Sequence, residues 1–315
     1  MILAQKLNEM DKKVASGLII LIILLFLGYI IYDVAIRKEE NVADSPNTVI
    51  PEIPDSWKVT STIDPASGKV ESVGIMKNGN VVIGGVSFVA CYDPELRMLW
   101  NNKTDKPVTA ISTSGDTIFT ATTETIRLLN PEGRKIGEWG PFEDSAMITS
   151  VSANRSFVVF ADAGNKILMV LDKKGNLKSM IGKSGEPFIL PSPYFDVAID
   201  SANFIYVANT GKHRIEKRKI DGTMIEHFGG TGTAPEFYCG CCNPAHFTLF
   251  PGGFITAEKG INRIKILNSK GEFVEFISSV NKFTPSIPID VASLDGRIIY
   301  GANPADSKVY VFNKK

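Results

Sequence analysis

Short bursts of alternating apolar and polar residues run through most of this chain. The clearest stretch is YFDVAIDSANFIYVANTGKHRIEKRKIDGTMIEHFG, residues 194–229. It contains four runs, FDVAID, FIYVAN, IEKRKI and MIEHFG, with turn-forming residues between them. Runs this short, with period-two alternation and many β-branched or aromatic residues, predict strands. The same four-strand layout recurs at residues 245–278, 148–182, 108–140 and 70–102. A sixth unit, PIDVASLDGRIIYGANPADSKVYVFNKK (288–315), supplies three strands. WKVTSTI, residues 57–63, has the pattern of the missing fourth.

Turn chemistry supports the repeat. Gly with Asp or Asn recurs between first and second strands (NGN, SGD, PGG, LDG) and between third and fourth strands (PEG, KKG, IDG, SKG). These residues accept the left-handed backbone of tight hairpins. Six units of roughly forty residues predict an all-β, six-bladed β-propeller over residues 57–315. The N-terminal strand closes the last blade, which leaves no sheet edge open. The stretch FDVAIDSANFIYVANTGKHRI (195–215), and more loosely FITAEKGINRIKIL (254–267), resembles the NHL-repeat family. CGCCNP followed by an EKG…R loop is similar to a subgroup of NHL propellers carrying this insertion. The resemblance implies the fold; members of the family include lyases, hydrolase-like enzymes and pure binding platforms. A shared fold does not choose among these.

The N-terminus follows another pattern. Residues 14–32, VASGLIILIILLFLGYIIY, carry no charge. A helix needs roughly 20 apolar residues to cross the hydrocarbon core, so residues 14–36 are expected to form one transmembrane α-helix acting as a retained signal anchor. No small-x-small cleavage pattern follows closely, which argues against a removed signal peptide. Lys6, Lys12 and Lys13 precede the span and Arg37 and Lys38 follow it, a bias that places the short tail (1–13) in the cytoplasm and the propeller outside. Residues 37–56 then read as a polar, Pro-bearing tether. The expected partners are the membrane and other membrane proteins. Lys+Arg and Asp+Glu are equal at 34 each, so the chain lacks the basic balance that nucleic-acid binding requires.

Three of the four cysteines fall in EFYCGCCNPAHF (236–247): Cys239, Cys241 and Cys242, with His246 close behind. Propeller topology puts the loop that leads into each first strand on one face, together with the loop between second and third strands. The cysteines are therefore expected at the mouth of the central channel. Asn209, Lys212, His213, Glu258, Lys259, Asp162 and Asn303 are expected on the same face, where loops can carry function. Asp196, His246 and Asp290 occupy corresponding first-strand positions in three successive units, so they should ring the axis just beneath. They form either a divalent-metal site or a set of polar groups lining channel water.

Three readings of the cysteines are open. Thiolates with His246 suit an iron–sulfur cluster or a thiolate-bound metal such as zinc or copper(I), although the spacing matches no standard zinc or ferredoxin pattern. A disulfide, Cys239–Cys242 or the strained Cys241–Cys242, suits an exported domain. The third reading is a tight turn shaped by Asn243-Pro244. Cys91, inside the strand FVACYD, reads as a buried core thiol. The functional expectation is a membrane-anchored binding or scaffold subunit, serving a membrane redox or metal-handling complex. The alternative is a metal-dependent lyase- or hydrolase-like enzyme at the channel mouth. That alternative must use a chain with only three histidines, His213, His227 and His246.

Overall fold

Six antiparallel four-stranded sheets succeed one another along the chain in the computed structural model, which describes residues 14, 17, 19–32, 53–143, 145–183, 185–279 and 282–315. The chain divides into two units, residues 1–52 and 53–315. In the first, residues 14, 17 and 19–32 are helical. Among the described residues no helix is long and apolar enough to cross a membrane. The remainder of the candidate span 14–36, the tail 1–13 and most of the tether lie outside the described residues.

The second unit is the propeller. Its blades begin, from the axis outward, with the first strands Val70–Ile75, Ala110–Ser114, Ile148–Ala153, Val197–Ile199, His246–Phe250 and Asp290–Ala292. Five blades use four consecutive strands. In the sixth, Trp57–Ile63 pairs antiparallel with Lys308–Lys314, in the register Trp57 with Lys314 and Ile63 with Val309. The ring is closed by the strand that the sequence pattern assigns to this place. The third-to-fourth hairpins of the second to fifth blades each turn on a glycine with positive φ: Gly133, Gly175, Gly222 and Gly271. Only glycine adopts that conformation at no steric cost.

The apolar residues divide into six clusters, one between each pair of neighbouring blades. This follows from strands buried on both faces, as in Val81–Gly85 and Phe88–Tyr92, where every residue is buried. Cys91 belongs to the wedge between the first two blades, and burial pushes its thiol up to about 11. The closing strand serves two wedges at once. Trp57 packs between the fifth and sixth blades and Ile63 between the sixth and first. Each is 4% exposed, so each contributes the roughly 1.5–3 kcal/mol of a buried large side chain.

Candidate functional site

The first strands surround an axial cavity of about 170 Å³ lined by residues of all six blades, Asp196, His246 and Asp290 among them. The ring expected from the sequence is assembled. His246 Nδ1 stands 3.7 Å from Asp196 Oδ2 and 3.8 Å from Asp290 Oδ1. Burial opposes charge on His246, but Asp196 and then Asp290 outweigh it and raise the imidazole above its ordinary range. Burial, reinforced by the charge of Asp196 and opposed by His246, pushes the Asp290 carboxyl up to about 6.

The carboxylates are also occupied by backbone. Asp196 Oδ1 accepts the Val197 N–H at 2.8 Å and the Ser150 hydroxyl, and Oδ2 accepts the Phe247 N–H of the next blade at 2.7 Å. Asp290 Oδ2 accepts the Val73 N–H of the first blade at 2.9 Å. Ser112 and Ser152 do the same at two other junctions, accepting the N–H groups of Ala153 (3.0 Å) and Ile199 (3.1 Å). First-strand oxygens thus satisfy amides that the short inner strands leave without a ladder partner. These serines were not legible as junction residues, because serine in a strand carries no distinctive signal.

The cysteine loop leads into the fifth blade. Its foundation is a buried charge cluster that the sequence reading missed. Glu258 accepts from Arg263 Nε at 2.6 Å and lies 3.1 Å from Lys265 Nζ, and all three residues are 0–2% exposed. The two cations also face the loop's carbonyl oxygens. Arg263 donates to Thr233 (2.7 Å), Ala234 (3.2 Å) and Phe237 (2.7 Å). Lys265 donates to Pro235 and Phe237, both at 2.8 Å, and its ammonium lies 4.2 Å from the centre of the Tyr238 ring. Burial pulls Lys265 down to about 8. The available signal was the pair of basic residues two apart in RIK, where the strand Ile264–Asn268 begins.

Above this base, Asn243 ties the loop to the neighbouring connection. Its Nδ2 donates to the carbonyls of Cys239 (2.5 Å) and Lys259 (2.9 Å), and its Oδ1 accepts the Lys259 N–H at 2.9 Å. Gly240 has φ +75°, which explains glycine between two cysteines. All four cysteines are free. Cys241 is exposed, Cys242 is buried, and their sulfurs are 2.8 Å apart. The Cys242 thiol, assisted by the charge of Lys259, holds Cys241 below its ordinary value, and burial pushes Cys242 up. Burial first, and then Glu258, also raises the half-buried Cys239. Among the described residues no group of three or more His, Cys, Asp or Glu side chains is arranged to hold a metal ion. Neither the three thiols with His246 nor the ring of Asp196, His246 and Asp290 is arranged as such a group. Two of the thiols do meet.

The expected binding-face residues separate into two kinds. Asn209 and Glu258 are buried, Asn209 accepting the Ile189 N–H at 3.0 Å and donating to Glu216 at 2.9 Å. Asp162 accepts the Met147 N–H of the connection entering its blade at 2.9 Å, and Asn303 accepts that of Ala305 in its own loop at 3.2 Å, so both shape the backbone of this face. Lys212 pairs with Glu186, His213 takes a left-handed φ of +53° beside it, and the Lys259 ammonium lies 4.7 Å from the Tyr194 ring centre. The same face carries large apolar side chains in solvent: Val86, Met147, Ile189 and Phe237 are 38–47% exposed.

No protein-family profile matches the chain, and no curated protein matches it. Many solved structures do. Streptogramin B lyase superposes with a TM-score of 0.61 at 11% identity, covering 82% of this chain and 98% of its own. Virginiamycin B lyase from Staphylococcus aureus gives 0.58 at 12% identity, covering 82% and 100%. The WD40 β-propeller domain of Doa1 gives 0.58 at 11%, covering 82% and 97%. At these identities the likeness establishes the six-bladed propeller fold and leaves activity open.

Proposed function

We propose that this chain is a membrane-anchored, extracytoplasmic binding or scaffold subunit of the NHL type. It presents the channel-mouth face of the propeller to other membrane proteins and contributes its cysteine loop to a membrane redox assembly. The observation that carries this reading is the character of that face. Val86, Met147, Ile189 and Phe237 leave apolar surface in water on the side where the loop of Cys239, Cys241 and Cys242 lies. The four lie on loops of four blades of one rigid face, and apolar surface joined across such a face would favour a protein partner. The two axial carboxylates that could have served chemistry, Asp196 and Asp290, are instead bonded across blade junctions. The uncharged stretch at residues 14–32 supports the anchor.

The alternative, a lyase-like enzyme, draws on the meeting of Asp196, His246 and Asp290 at the axial cavity. Gentle purification of the full chain from native membranes tests the choice. The scaffold reading expects co-purifying membrane proteins that are lost when Ile189 and Phe237 are both changed to Asp. A solitary monomer at native expression would overturn it.

A further inference from the structure

The sulfurs of Cys241 and Cys242 differ in one decisive respect. Cys241 is exposed, whereas Cys242 is 1% exposed and beneath it, at an S···S distance of 2.8 Å. An incoming molecule can reach only the first, and only the second can attack a bond formed there. Lys259, held by Asn243 on the adjacent connection, places positive charge beside both. The loop is anchored on both sides of the two thiols. Its backbone is gripped from below by Arg263 and Lys265, and Asn243 is wholly buried.

We propose that Cys241 and Cys242 form a thiol–disulfide exchange site, with Cys241 as the attacking sulfur, Cys242 as the resolving sulfur, and a disulfide-bearing partner as the oxidant. The Cys241 thiolate attacks one sulfur of the partner disulfide, and the other partner sulfur leaves as a thiolate. Cys242 loses its proton and attacks the Cys241 sulfur of the mixed disulfide, and the second partner sulfur leaves. Two electrons pass to the partner, which ends as two thiols, and the chain ends with a Cys241–Cys242 disulfide. Adjacent residues across a trans peptide have Cα atoms about 3.8 Å apart, below the usual disulfide range of about 4.4–6.8 Å. The product is therefore strained, and strained disulfides are the easily reduced, exchanging ones. The site is thus suited to passing electrons in both directions. Cys239 takes no part, since among the described residues the sulfurs that meet are those of Cys241 and Cys242.

This inference rests on the proposed function only in taking the loop to lie on the open working face. Its test needs no partner protein. Purified full-length chain is equilibrated with reduced and oxidised glutathione at a series of ratios, quenched by alkylation, and digested. The expected result is a reversible disulfide within the one peptide that holds Cys241 and Cys242. It should be half reduced at ratios that leave a structural disulfide fully oxidised. Cys242→Ser should trap glutathione on Cys241, whereas Cys241→Ser should take up none at Cys242, and Cys239→Ser should titrate as the unaltered chain. Circular dichroism of each variant reports whether the propeller is intact. A bond from Cys239 to either neighbour, glutathione on Cys242 rather than Cys241, or no oxidation at any ratio would each overturn the proposal. Co-purification of membrane partners stands or falls separately.

Discussion

In the axial ring, Asp196 takes two backbone N–H groups and a serine hydroxyl, and Asp290 takes an N–H across the junction to the first blade. In the cysteine loop above it, the polar work is done by Glu258, Arg263, Lys265 and Asn243, and the sulfurs of Cys241 and Cys242 are left with each other. Both regions look reactive as residue types. The axis holds the ring of blades together with the carboxylates that could have done chemistry. The loop delegates its support to other residues and keeps its reactive atoms free. Availability, and not residue type, separates a structural polar site from a chemical one.

Opening the ring should abolish both regions together, and this is the largest effect expected. Deleting Trp57–Ile63 removes two wedge residues, each contributing about 1.5–3 kcal/mol, and leaves an unpaired edge on Lys308–Lys314. Calorimetry should show loss of the cooperative transition of the whole propeller, and an unchanged melting transition would mean that the ring closes in another way.

The next changes should separate the two regions. Glu258→Ala leaves Arg263 and Lys265 buried without their anion, which should cost about 3–5 kcal/mol in chemical denaturation. It should also expose Cys242 to alkylation. Asp196→Ala leaves the Phe247 amide without an acceptor and the Val197 amide with only Ser150 Oγ at 3.2 Å, and an expected loss of about 1–3 kcal/mol follows from the buried donor left unsatisfied. Alkylation of Cys242 should stay slow in that variant. If both variants expose Cys242 equally, the loop depends on the axis and the contrast fails.

Acidity offers a gentler probe. Asp290 binds its proton more tightly in the folded chain, at about 6 against an ordinary value of 3.8. Between those values the folded state holds more protons than the unfolded one, so Asp290 contributes a stability that falls as pH rises from about 4 to about 6. His246, also raised, contributes stability present below its ordinary value and lost as pH climbs through its folded one. Asp290→Asn keeps an oxygen for the Val73 N–H and should remove the lower-pH part of this slope from denaturation curves. An identical slope in the variant would show that Asp290 does not titrate there. The smallest effect belongs to the free sulfur. Cys241→Ser, at an exposed position, should change stability by no more than about 0.5 kcal/mol in the reduced protein.

Much of this architecture is written locally. The forty-residue period, the glycines of the hairpins and the apolar alternation belong to each blade by itself, so the six blades, the closing strand Trp57–Ile63 and the matched positions of Asp196, His246 and Asp290 follow from the pattern of the chain. Even the contact between the ring and the axial cavity is a consequence of strand register. Burial of Asn209 and Glu258 is not local, because each is decided by groups arriving from other segments. Ile189 brings its amide to Asn209 from 20 residues away, and the carbonyls of Thr233 and Phe237 meet Arg263 across 30 and 26 residues. A loop polar residue reads as exposed until the backbone that needs it is folded against it. The same holds for the sulfurs. The spacing C-x-C-C names three thiols, but only the packed loop, with Gly240 turned to positive φ and Asn243 locked to Lys259, turned Cys242 inward beneath an exposed Cys241.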